Sequence, residues 1–206
     1  MEEGLALTAR HSPADILKVA VAVPIKHRKL LQYTLFATVV VWIAVGIQHW
    51  SDGSGPIQAP ANRKLMRDLV LPQLDGASWR LSDHRGQVVL VNYWATWCEP
   101  CRQELPGLVK LARDYQPKGL AVVGVSMDED RPNTVQQFAK EFRIPYPVVL
   151  GTSFSPVGSS VQALPTSILV DPQGRAAKTY IGAVRESVFR ADVDHLLAER
   201  RGNVSN

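Results

Sequence analysis

A nearly continuous run of β-formers, Val88 to Trp94 (VVLVNYW), leads almost directly into Trp97-Cys98-Glu99-Pro100-Cys101, which holds both cysteines of the chain. No other feature constrains the fold as much. A strand that is apolar on both faces belongs at the centre of a sheet covered on both sides. A C-x-x-C at the start of the following helix puts the first thiol at a helix N-terminus. There the unpaired N–H groups and the positive dipole end favour the thiolate, the form that attacks disulfides. Cys101 lies within reach of Cys98, so the pair can close into an internal disulfide and release a partner held as a mixed disulfide. Pro100 suits the first helical turn, where its missing N–H costs nothing.

Two neighbouring cysteines have other uses. A zinc site needs two further Cys or His ligands at matching spacing. The histidines (His11, His27, His49, His84 and His195) are scattered and form no H-x-x-x-H, so no metal site is expected. A purely structural disulfide closing so small a loop would constrain the unfolded chain little. Copper(I) carriage by two soft thiolates remains open as a non-catalytic alternative, although no Met or His stands near the pair. Redox chemistry of the dithiol accounts best for the spacing, and it needs no cofactor.

The length of 206 residues suits one domain plus an extension. The net charge of +4 is mild, and the basic residues form no cluster with interleaved aromatics, so no nucleic-acid surface is expected. The extension is N-terminal. Leu30 to Ile47 (LLQYTLFATVVVWIAVGI) carries no charge and no proline. As a helix it would extend about 27 Å, close to the hydrocarbon thickness of a bilayer. Lys26, His27, Arg28 and Lys29 precede it, and Trp50 follows as an interface anchor, so the N-terminal flank should stay in the cytoplasm and the rest should be exported. A cleaved signal peptide fits less well, because the run is long and the small-residue site Ala59-Pro60-Ala61 contains proline and lies far from it. Ile16 to Val23 is apolar but short and ends at Pro24.

Ser51 to Ala61 (SDGSGPIQAPA) reads as a tether. Beyond it, Asp68 to Leu74 and Ser78 to Leu81 flank Asp75-Gly76, a hairpin signal. Leu120 to Ser126 reads as a second buried strand. A helix is expected from Cys98 to about Tyr115, kinked at Pro106, and another over Thr134 to Phe142. Pro147 to Leu150 reads as a short strand. Thr166 to Val170 and Ala176 to Ile181 are strands around the turn Asp171-Pro172-Gln173-Gly174. Glu186 to Arg200 is an amphipathic helix with Val188, Phe189, Val193, Leu196 and Leu197 on one face. Strands alternating with helices, then a hairpin and a helix, predict an α/β sandwich.

Val88 to Pro106 (VVLVNYWATWCEPCRQELP) resembles the thioredoxin superfamily, and more closely its membrane-tethered TlpA/ResA branch. Leu81 to Gln87 and Leu164-Pro165-Thr166 extend the likeness, which covers about Leu65 to Arg200. The resemblance implies a thioredoxin-like three-layer sandwich over residues 64–206. It would follow a cytoplasmic segment (1–29), a transmembrane helix (30–50) and a linker (51–63). It also implies that Pro165 is cis and faces the dithiol, so that Leu164, Pro165 and Trp97 meet the substrate. Many thioredoxins carry a buried aspartate where this chain has Asn92. ResA-like proteins instead use a glutamate matching Glu104, which shares a helix face with Cys101 at i+3 and would accept the proton of that resolving thiol. The competing view is a solvated helix-face glutamate. Glu99 lies between the sulfurs in sequence; its carboxylate disfavours a thiolate, which suits a reductant better than a strong oxidant.

The resulting expectation is a single-pass inner-membrane thiol-disulfide oxidoreductase with its catalytic domain in the periplasm or extracytoplasmic space. It would reduce disulfides of exported proteins, with cytochrome c or copper-site maturation as the family's kind of task, and be re-reduced by a membrane electron donor. An oxidase or isomerase of the same fold is the nearest alternative. A peroxidase is disfavoured, because Ala95 and Val91 stand where peroxiredoxins carry threonine and proline.

Overall fold

The computed structural model describes residues 25–50, 55–129, 131–151 and 161–204. The chain divides into two compact units, Met1–Ile47 and Gln48–Asn206. The first is built on helix α1 (Ile25–Trp50), which contains the apolar run. Its described side chains, at 29 and 32–43, are all exposed, among them Tyr33, Phe36, Val41 and Trp42. These positions cover only part of Leu30 to Ile47, and among the described residues no helix is long and apolar enough to cross a membrane. The expected cytoplasmic segment before Ile25, with Ile16 to Val23, lies outside the described residues.

The second unit runs β1 (Lys64–Leu65), β2 (Val70–Pro72), β3 (Ser78–Arg80), β4 (Val88–Trp94), α2 (Glu99–Tyr115), β5 (Leu120–Ser126), α3 (Pro132–Glu141), β6 (Val148–Leu150), β7 (Thr166–Val170), β8 (Arg175–Ile181) and α4 (Glu186–Val204). Six strands form one mixed sheet in the order β1-β8-β7-β4-β5-β6, with β4, β5 and β6 parallel and the others antiparallel to their neighbours. The central position of β4 explains its sequence. All its residues are buried, and alternate side chains enter different cores. Val88, Leu90 and Trp94 pack with α2, α3 and α4. Val89, Val91 and Tyr93 pack beneath the β2–β3 hairpin, with Leu69, Leu71, Trp79 and Leu81. The three layers are therefore helices, sheet and hairpin.

Two details fix the centre. A Cβ on Gly124 of β5 would stand 2.8 Å from the Trp94 indole nitrogen, so only glycine lets that ring lie across the strand. The Trp94 ring then meets Phe138 at 5.0 Å, and Phe138 stacks on Phe142 at 4.3 Å. Pro106 lies inside α2, which is continuous from Glu99 to Tyr115. The expected tether is partly docked: Ile57 packs on the core, the Gln58 N–H bonds the Ala177 carbonyl at 2.9 Å, and Arg63 is buried. The reason lies at a distance in sequence. Arg63 meets Glu199 in a bidentate pair at 2.7 and 2.9 Å and Asp171 at 3.4 Å, so the ordered body reaches back to Ile57.

Candidate active site

The dithiol sits where β4 hands over to α2, at the carboxyl end of the central strand. Cys98 caps α2: its φ of −85° and ψ of 103° are extended, and its Sγ accepts from the Cys101 N–H at 3.3 Å. The two sulfurs are joined as a disulfide, and both cysteines are nearly buried. Pro100 falls in the first turn of α2, as its missing N–H requires. Trp97 is the opposite case, a large ring 69% exposed beside the disulfide. It forms one wall of a groove of about 770 Å³, whose lining includes Cys98, Pro100, Asp128, Arg131 and Leu164. The Leu164–Pro165 peptide bond is cis. Leu164 lines the groove, while Pro165 is buried and its carbonyl accepts from the Gly182 N–H at 2.8 Å.

Glu104 is not on the solvated face of its helix. It is 6% exposed, with Oε1 accepting from the Val184 backbone N–H at 2.8 Å and Oε2 from the Asn92 amide at 3.3 Å. Asn92 also donates to Ser167 Oγ at 2.9 Å, so β4 and the segment before α4 meet the carboxyl directly and β7 anchors the Asn92 amide. Burial pushes the Glu104 carboxyl up to about 7, and the two donated hydrogen bonds offset only part of that rise. A group that titrates near neutrality one helical turn from Cys101 can take up a thiol proton and give it back. Tyr146 is buried close by, and its hydroxyl is driven upward by burial and by the Glu104 charge.

Glu99, unlike Glu104, stays on the solvated face of α2. Its side chain is 72% exposed, 3.8 Å from the Arg102 guanidinium, and Gln103 donates to it at 3.3 Å. Water and an opposite charge therefore dilute its pull on the thiols. The Arg102 guanidinium lies 5.4 Å from the Phe138 ring and 5.6 Å from Phe142. Lys110 pairs with Asp114 at 2.7 Å on the surface of α2.

The AhpC/TSA family model matches residues 63–204, nearly all of the second unit. The chain belongs to the AhpC/TSA family of thioredoxin-like proteins. Within the family it is 32% identical to the thiol-disulfide oxidoreductase ResA of Geobacillus thermodenitrificans over 172 residues, which are 83% of this chain and 98% of that protein. It is also 32% identical to ResA of Bacillus subtilis, over 77% of this chain and 81% of the relative. A thiol:disulfide interchange protein of the thioredoxin family from Chlorobium tepidum superposes with a TM-score of 0.61 at 27% identity, over 68% of this chain and 99% of its own. This AhpC/TSA protein is a thiol-disulfide oxidoreductase that carries a Cys98–Cys101 pair.

Three further groups stand around this family member's site that the sequence pattern did not single out. Ser167, which accepts from Asn92, and the Val184 N–H, which donates to Glu104, come from far along the chain and carry no local signal. Asp128 is legible in principle. It follows β5 by two residues, and ligands of α/β sheets gather at the carboxyl ends of parallel strands.

Proposed function

We propose that this protein is a membrane-tethered reductase of disulfides in exported proteins. The buried Glu104 carboxyl, titrating near 7 one turn beyond Cys101, carries the reading, because it equips the second thiol to resolve a mixed disulfide at neutral pH. A target segment lies in the groove between Trp97 and Leu164. The Cys98 thiolate attacks one target sulfur, and the other leaves and takes a proton. Glu104 removes the proton of Cys101, whose thiolate attacks Cys98 Sγ. The second target sulfur leaves as a thiol. Two electrons have then passed to the target, and the enzyme holds the internal disulfide. A membrane dithiol donor returns the electrons. The exposed apolar side chains of α1 and the basic residues before them support a single inner-membrane span with the catalytic domain outside the cytoplasm. The relatives named ResA support the thiol chemistry, and apocytochrome c or copper-site proteins are the proposed targets.

The test is trapping. With Cys101→Ser the attack by Cys98 proceeds but resolution does not, so exported targets accumulate as mixed disulfides that reductant releases. Recovery of cytoplasmic proteins alone, or of no disulfide-linked protein, would reject the proposal.

A further inference from the structure

The front of the site has a support of its own, separate from the one that holds Glu104. Asp128 stands just past the end of β5, is 4% exposed and lines the groove beside Cys98. Its Oδ2 accepts from the Thr96 backbone N–H at 2.9 Å and from Ser126 Oγ at 2.9 Å, and its Oδ1 accepts from Thr96 Oγ1 at 2.5 Å. The Asp128 N–H in turn bonds Ser126 Oγ at 3.2 Å, and the Met127 N–H bonds the Trp94 carbonyl at 2.8 Å. Thr96 is the second residue before Cys98. It lies between the end of β4 and the exposed Trp97, in a turn closed by the Cys98 N–H on the Ala95 carbonyl at 3.1 Å. This short segment belongs to no strand or helix, yet it must hold both the groove wall and the attacking sulfur. Asp128 holds it from the neighbouring strand through both the main chain and the side chain of Thr96.

We infer that Asp128 is a positioning residue for the attack step: it fixes the Thr96–Trp97–Cys98 segment so that a target seated in the groove meets Cys98 Sγ in line. The inference rests on Cys98 as the attacking thiol. Positioning through hydrogen bonds sets a rule for substitutions. In Asp128→Asn the amide oxygen can accept from the Thr96 N–H and Ser126 Oγ, while the amide nitrogen donates to Thr96 Oγ1, whose own hydrogen turns away. The geometry then survives without the charge. Asp128→Ala removes all three bonds, and Thr96→Val removes only the hydroxyl. Misplacing a reacting group by about 1 Å can cost on the order of a hundredfold in rate.

The experiment uses the full-length protein in detergent and follows mixed-disulfide formation in the Cys101→Ser background. The probes are a disulfide-bonded peptide long enough to fill the groove and a small aromatic disulfide that needs no docking. With Asp128→Ala the rate with the peptide should fall about ten- to a hundredfold, and the rate with the small disulfide should fall much less. Asp128→Asn should restore the peptide rate, and Thr96→Val should lie between. Equal loss with both probes, or a loss in Asp128→Asn as large as in Asp128→Ala, would overturn the inference and assign Asp128 to general stability or to its charge. If Asp128→Ala does not fold, the Asn and Val variants decide the matter alone: wild-type peptide rates in Thr96→Val overturn it. A Cys98→Ser control with Cys101 intact distinguishes failure of the underlying reading, because a mixed disulfide that forms faster through Cys101 there than through Cys98 in the Cys101→Ser protein would show that Cys98 is not the attacking thiol.

Discussion

Replacing Glu104 by glutamine tests the site through stability as well as catalysis. The carboxyl is 6% exposed and titrates at about 7, against 4.5 for the same group in water. Between those two values the folded protein binds more protons than the unfolded chain, so stability falls as pH rises. The loss begins above the unfolded value and is complete once pH passes about 7; it amounts to about 3 kcal/mol. Below pH 4.5 the residue contributes no pH dependence. Glu104→Gln removes the titration and can keep the hydrogen bonds. The new amide oxygen accepts from the Val184 N–H. Its nitrogen donates to Asn92 once the Asn92 amide turns over, and Ser167 Oγ then donates to Asn92 in place of accepting. Urea unfolding of a fragment from residue 51, measured from pH 4 to pH 8, should show the wild type losing stability across that window and the variant nearly flat by comparison. In stopped-flow kinetics the wild type should resolve mixed disulfides with a midpoint near 7, and the variant should resolve them slowly at every pH. A wild-type midpoint near 4.5 in either assay would show that the carboxyl is hydrated and would refute the argument from burial.

Other expectations follow from the same structure. Asn92→Asp sets a second carboxyl about where the amide now stands, 3.3 Å from Glu104; the two cannot both ionise easily, so the higher midpoint of the pair should rise above 7 in a carboxyl NMR titration. Arg63→Ala leaves Asp171 and Glu199 without their shared guanidinium and should cost about 3 kcal/mol in urea unfolding, at the low end for a buried pair because Arg175 still meets Asp171 at 2.7 Å. A reporter fused after Arg200 should be active only outside the cytoplasm; cytoplasmic activity would reject the proposed anchor. The proposed reductase role, rather than the exposed Glu99, requires a potential nearer that of thioredoxin, about −270 mV, than that of the strong periplasmic oxidant, about −120 mV; equilibration with a dithiothreitol or glutathione buffer measures it, and a value near the oxidant would reverse the proposed direction of electron flow.

The strands β4, β5 and β7 occupy the residues that their sequences mark out, and the β2–β3 hairpin closes around Asp75-Gly76. A buried strand announces itself locally, because every residue must be apolar when both faces are covered. The dithiol is equally legible, since the C-x-x-C pair follows a buried strand directly and stands at the start of a helix. Helix ends carry a weaker signal: α3 starts at Pro132 and α4 runs on to Val204, because polar terminal turns carry little apolar pattern. What the sequence could not decide is the environment of its polar residues. Glu104 is buried because Asn92 and the Val184 N–H meet it, whereas Glu99, five residues earlier, stays in water. Asp128 is held against Thr96 across two strands, and Arg63 is drawn into the body by Glu199 from the last helix. Periodicity reports which face of an element is apolar. Whether a carboxyl is desolvated depends on what packs over it, and only the tertiary structure brings those distant groups together.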